Sequence, residues 1–220
     1  MPDVVVLGAG GMGAEVAETI RAAASAGEDW RLLGFLDDAT DLPDGILDLP
    51  VLGPTEWLAE HSEVQVALAI GHPRTRQQVV TRVETLGNRW ATVIHPSCTV
   101  SPSAEVGEGT ILFAGCTLST RARLARLSHL HYQVVVSHDA AVGELACIMA
   151  QVALSGDVRV GEGAFVGVGV STRQGVSIGA WSLIGTGAAV VRDIPPCCVA
   201  VGVPAKPIRF YDGPEQMPPF

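Results

Sequence analysis

The chain divides into two stretches with different hydrophobic periods. Up to Ile94, short β-branched runs alternate with helical patterns. Val4 to Leu7, Arg31 to Leu36, Val64 to Ile70 and Trp90 to Ile94 read as strands, and Gly11 to Ala24 and Thr75 to Leu86 as helices. That rhythm predicts a small parallel, Rossmann-like βαβ unit. From Val100 onward the helical patterns vanish and a six-residue period replaces them. Stepping by six from Val100 to Val190 meets sixteen positions, fifteen of them Val, Leu or Ile; only Thr172 departs. The position four further on, from Ala104 to Ile194, is always small or β-branched.

A period of six is too long for alternation along a strand and wrong for a helix, but it suits a three-sided solenoid with one hexapeptide per side. Each aliphatic residue is expected to point inward and stack on its counterpart eighteen residues later, with the small residue at the corner. Glycine follows the aliphatic position at Gly107, Gly143, Gly161, Gly167, Gly179 and Gly185, where tight turning is expected. The reading is therefore α/β plus β-solenoid: residues 1–94 a Rossmann-like domain, 95–210 a parallel β-helix, and 211–220 a tail.

With 48% hydrophobic residues, 220 residues are enough for a packed core. A net charge of -9 argues against a nucleic-acid or anionic-membrane surface, which needs clustered cations. Arginine supplies thirteen of the fourteen basic residues, and Lys206 is the only lysine. Five cysteines without a C-x-x-C pair suggest neither a disulfide framework nor a zinc ribbon, and fit a reducing compartment. The start, MPDVVVLGAG, lacks a basic region ahead of its apolar run, and no apolar stretch reaches the roughly 18 residues of a membrane helix. A cytoplasmic location is expected.

Candidate chemistry lies in both halves. Gly8-x-Gly10-x-x-Gly13 follows a strand and opens a helix, the context in which bare backbone and a helix N-terminus receive phosphate. Asp37 and Asp38 follow the second strand, where a dinucleotide fold holds ribose. A nicotinamide dehydrogenase would need a second mononucleotide half, and the repeat begins too soon for one. In the repeat, His129, His131 and His138 cluster; histidine titrates near neutrality and suits proton abstraction from an attacking amine or hydroxyl. Asp139 can orient His138 only if the chain turns between them, because neighbours on a strand face opposite ways. Cys147, eighteen residues after His129, reads as a nucleophile or as small apolar filler. With His129 and either His131 or His138 it also makes an imaginable zinc set, set against a reading with no metal.

Several segments occur in the order of one known family: GAGGMGAEV near the start, GFLDD at 34–38, AIGHPRTR at 69–76, HPSCTVSPSAEVGEGT at 95–110, VVVSHDAAVGE at 134–144 and VVRDIPPCCVAVGVPAKPI at 190–208. Together they span nearly the whole chain and resemble the bacterial sialic-acid O-acetyltransferases and nucleotide-sugar N-acetyltransferases. The resemblance implies a left-handed β-helix, a homotrimer with sites between subunits, acetyl-CoA as co-substrate, and a nucleotide-linked amino sugar as acceptor. It implies His138 and Asp139 as catalytic, Cys147, Gly156, Gly167 and Lys206 on the coenzyme side, and Gly10, Gly11, Met12, Asp37, Asp38 and Arg76 around the nucleotide sugar. The alternatives are O-acetylation of sialic acid or another sugar hydroxyl, and a β-helix that binds a nucleotide sugar without turnover. Met12, His131, Gln133 and Cys147 depart from the family pattern, which commonly has His at 12 and 147.

Overall fold

Val4 to Leu7 are all buried, which leaves this strand no solvent face and fits an interior strand of a sheet covered on both sides. The amino-terminal unit runs β1 (Asp3–Leu7), α1 (Gly11–Ser25), β2 (Arg31–Leu36), β3 (Gly45–Ile46), β4 (Leu49–Gly53), β5 (Gln65–Leu68) and α2 (Pro73–Leu86). A 3₁₀ turn covers Thr55–Glu60. The computed structural model describes residues 1–219; Phe220, the end of the predicted 211–220 tail, lies outside the described residues. Strand order is β3-β4-β2-β1-β5, with β1 parallel to both β2 and β5. The hydrophobic pattern does not announce the β3–β4 hairpin, because Pro43 and Pro50 break any alternation there. β4 also passes so close to β2 that a Cβ on Gly34 would lie 2.4 Å from the Pro50 carbonyl oxygen.

α2 begins with Pro73 in its first turn and ends on Gly87 at φ +83°. Its buried stripe is Pro73, Arg76, Val80 and Val83. The run read as one strand over 90–94 is split. Trp90 bridges Val66 of the α/β sheet, whereas Val93–Ile94 pairs in parallel with Ile111–Leu112 of the solenoid. Ile94 occupies the hexapeptide register one step before Val100, so it stacks as a rung.

The repeat forms three parallel sheets. The first face runs from Thr99–Val100 to Ala189–Val190 and the second from Glu105–Val106 to Ser177–Ile178. The third runs from Val93–Ile94 to Leu183–Ile184 and continues into the hairpin of Cys198–Val201 and Lys206–Phe210. The aliphatic row fills the interior, and the small row lies inside with it: Cys116, Ala122, Val134, Ala140 and Ala146 have no exposed surface.

The turning falls elsewhere than the glycine pattern suggests. From Gly109 to Gly187 every sixth residue has positive φ, and at Arg121, Leu127, Gln133, Asp139, Leu145, Gln151, Asp157 and Trp181 it is not glycine, with φ from 57° to 61°. The glycines that follow the aliphatic row serve close approach between coils. A Cβ on Gly107 would meet Arg126 N at 2.5 Å, and one on Gly143 would meet Glu162 N at 2.6 Å.

The α/β unit docks on the third face. Val80 and Val83 pack with Leu127, Leu145 and Phe165, and Val16 and Ile20 with Val93, Ile111 and Phe113. Outward residues of this face, Ile111, His129 and Cys147, are therefore fully buried, whereas Val135, Ala153, Arg123 and Arg159 on the other faces are exposed. The tail returns to the same seam: the Tyr211 hydroxyl donates to the Trp181 carbonyl, and Met217 is buried.

Candidate active site

The first group of candidate residues surrounds the turn from β1 into α1. Gly8 and Gly13 are required by packing: a Cβ on Gly8 would sit 2.5 Å from the Ala69 carbonyl oxygen, and one on Gly13 2.1 Å from that of Gly8. Gly10 and Gly11 are exposed, with open space around them. Gly10 caps α1 without a side-chain bond, so the first N–H groups of the helix are available to an anion. Asp37 accepts from the Ala9 N–H at 2.8 Å and from the Ala39 N–H at 3.0 Å. Asp38 accepts from the Thr55 N–H at 2.9 Å and pairs with Arg82. Both carboxylates thus brace loops, and both also line a cavity of about 290 Å³ with Gly8, Thr55, Ile70 and Val79.

Met12 faces a second cavity of about 450 Å³, walled by Gly71 and by His131, Tyr132, Met149 and Phe165 of the β-helix. Arg76, expected near the phosphate, is not in either cavity. The stripe it shares with Pro73, Val80 and Val83 turns it into the domain seam, where it is fully buried and donates to the Leu127 carbonyl. Its Nε and Nη1 and both ring nitrogens of His129 have no partner there. Cys147 lies against it without exposed surface, and burial pushes its thiol up to about 11. Cys147 packs in the seam between the α/β unit and the third face. Gly167 is likewise buried, a close-approach glycine whose Cβ would meet Ile184 O at 2.7 Å. Lys206 is exposed on the last hairpin, opposite Val201.

Burial, aided by the Arg76 charge, pushes His131 down to about 4, and burial holds His129 well below its usual value. Between the unfolded pKa near 6.5 and the folded value near 4, the unfolded chain binds more protons than the folded one. Stability is therefore complete above the unfolded value and falls with pH through that window, by about 3 kcal/mol for His131 alone. Melting temperatures measured from pH 7 to pH 4 should show this loss, and His131→Gln should flatten it. Among the described residues no group of three His, Cys, Asp or Glu is placed to hold a metal. His138 stands at a corner away from His129 and Cys147, which pair on the third face, so it does not join them.

The second group occupies that corner, between the first and second faces. Asp139 takes the left-handed conformation, with φ 61°, so the chain turns between the two residues. Their side chains meet, His138 Nδ1 to Asp139 Oδ2 at 2.9 Å. Arg121, one coil earlier in the same left-handed row, grips Asp139 with Nε to Oδ1 at 2.6 Å and Nη2 to Oδ2 at 2.8 Å. The bonds to Arg121 first, and to His138 second, hold the Asp139 carboxyl well below the usual carboxylate range. The imidazole lies over Gly156: a Cβ there would be 2.5 Å from both Cε1 and Nε2 of His138. Beside it Thr172, the exception in the aliphatic row, takes the Ser155 N–H on its hydroxyl at 2.9 Å.

Pattern reading missed Arg121, although a cation eighteen residues before Asp139 in a stacked repeat is a legible signal. One protomer does not unite the two groups, because the α/β unit covers the third face and His138 stands at the corner away from it.

These features define a class, a β-helix of hexapeptide repeats carrying an amino-terminal unit with a glycine-rich strand-to-helix turn. The PglD N-terminal domain family matches residues 3–83. The acetyltransferase domain of PglB from Neisseria gonorrhoeae, also solved with acetyl coenzyme A, is 33% identical, with a TM-score of 0.86 over 94% of this chain and 100% of that one. PerB from Caulobacter crescentus, solved with CoA and GDP-perosamine, is 34% identical with a TM-score of 0.85 over 93% and 96%. The UDP-N-acetylbacillosamine N-acetyltransferase of Bacillus subtilis is 35% identical over 115 residues, so the chain spans 51% of that relative's length. The chain belongs to the nucleotide-amino-sugar N-acetyltransferase family, and its β-helix is left-handed.

Proposed function

We propose that this protein transfers an acetyl group from acetyl-CoA to the amine of a nucleotide-linked amino sugar, with His138 as general base. The observation that carries the reading is the His138–Asp139 pair. An ionised Asp139 can only accept, which places a proton on Nδ1 and leaves the Nε2 lone pair open above Gly156. The amine nitrogen attacks the thioester carbonyl carbon while His138 Nε2 takes the amine proton. The backbone N–H of Gly156, bare of any side chain, faces the developing oxyanion. The tetrahedral intermediate collapses, the C–S bond breaks, and the imidazolium returns its proton to the CoA sulfur.

The acceptor's diphosphate suits the open N–H groups at Gly10 and Gly11, its nucleoside the cavity of Asp37 and Asp38, and its sugar the more apolar cavity beside Met12. Because the two residue groups lie apart in one chain, the site is completed by a neighbouring copy. A homotrimer packed through the exposed first face, with Val135, Ala153 and Ser171 outward, would achieve this. Lys206 then sits free to meet a coenzyme phosphate. The five free cysteines and these substrates suit the cytoplasm. Among the described residues no helix is long and apolar enough to cross a membrane.

Release of CoA, followed with a thiol reagent over UDP-, GDP- and dTDP-linked 4-amino sugars, tests the reading. Turnover with one of these, by a particle of three times 22.9 kDa in light scattering, is the expected result. Release only with sialic acid would replace the amine by a hydroxyl acceptor. Binding without release would make the protein a nucleotide-sugar binder.

A further inference from the structure

The corner of His138 contains more than an acid–imidazole pair. Arg121, Asp139 and Asp157 occupy the same left-handed position in three successive coils, with φ of 57°, 61° and 60°. Stacked coils lie about 4.8 Å apart, so a long side chain at this position reaches its counterpart in the next coil. Backbone bonds hold the column in register: the Asp139 N–H donates to Thr120 O and the Asp157 N–H to His138 O, each at 3.0 Å.

We infer that Arg121 is a positioning residue for acetyl transfer, clamping Asp139 in the one orientation that points His138 Nε2 outward over Gly156. The inference rests on His138 being the base.

Three observations carry it. Every carboxylate oxygen of Asp139 is engaged, Oδ1 by Arg121 Nε and Oδ2 by Arg121 Nη2 and His138 Nδ1 together. A two-pronged bond fixes the rotation of the carboxylate plane, and with it the direction in which the imidazole is held. Second, Arg121 is 60% exposed and Asp139 31%, where an ion pair adds little to folding. Its bidentate geometry matters for orientation more than for stability. Third, the left-handed column that carries Asp139 has Arg121 in the coil before it and Asp157 in the coil after. Asp157 is itself held by Gln174 Nε2 at 3.1 Å. Arg121 is therefore the cation of this column, and its two bonds hold the Asp139 carboxyl well below its usual range.

The test is steady-state kinetics of Arg121→Gln and Arg121→Lys in the full-length protein, using acetyl-CoA and the panel sugar that gives the fastest CoA release. His138→Ala is assayed beside them. Arg121→Gln is expected to lower kcat about tenfold, with KM for both substrates within about twofold of the parent. Arg121→Lys should recover kcat only in part, because one ammonium cannot fork. If His138→Ala is inactive while Arg121→Gln matches the parent in kcat, the inference about Arg121 is overturned and the base assignment stands. It is also overturned if Arg121→Gln loses turnover only through a lower melting temperature and raised KM. Full turnover by His138→Ala would overturn the base assignment itself, and the inference with it.

Discussion

A His138→Ala protein is expected to lose about 10²–10⁴ in kcat while its melting temperature and its affinity for acetyl-CoA stay close to the parent values. The imidazole is half exposed, and its one side-chain bond is to Asp139, so its removal opens no cavity and orphans no buried group. The loss should fall on kcat and kcat/KM alike, the pattern of an interaction made during proton transfer and not in binding. Stopped-flow or continuous CoA release across pH 5 to 9 checks it. A variant that keeps full kcat would require another base, and His131, neutral in the cavity beside Met12, would be the next to examine.

The second large effect is expected at Gly156. Its backbone is not in the left-handed region, so alanine is conformationally permitted there. The added Cβ would nevertheless lie 2.5 Å from His138 Cε1 and Nε2. At Gly143 and Gly161 the equivalent insult falls on backbone, on Glu162 N and Ala180 N. Backbone cannot move without breaking the coil ladder, whereas an exposed imidazole can swing aside. Gly156→Ala should therefore fold with a melting temperature near that of the parent, yet lose about 10²-fold in kcat as Nε2 leaves its position. Gly161→Ala should destabilise the protein. Differential scanning fluorimetry set beside CoA-release kinetics separates the two effects. Equal loss of stability in both variants would mean that Gly156 is a packing glycine only.

Much of this architecture was legible because it rests on strict repetition. An aliphatic residue at every sixth position can be buried only if the chain turns at each hexapeptide, so the solenoid and its inward row follow from the pattern alone. Ile94 and Val93 belong to that register too, and extending the count one step back would have moved them out of the α/β sheet. The glycine-rich turn was equally readable, since Gly8 and Gly13 sit where no side chain fits. Thr172 announced itself as the lone polar member of the row, beside the coil that bears Gly156.

What the sequence determined by itself, then, is the local grammar: strand, turn and coil, and the short list of groups able to do chemistry. Tertiary structure alone decided which of those groups face which. The resemblance placed Arg76 around the nucleotide sugar, but the helical stripe it shares with Val80 and Val83 docks on the third face and buries it. The resemblance put Cys147 on the coenzyme side; the fold buries it on the third face, beneath the α/β unit. His138 and Asp139 look opposed on a strand, and they meet because the corner row takes the left-handed conformation whether or not it is glycine. Arg121 joins them across eighteen residues of sequence and one coil of space. Periodicity specifies which residues point out of the solenoid; only the docking of a second domain on one of three faces determines which of them remain in water.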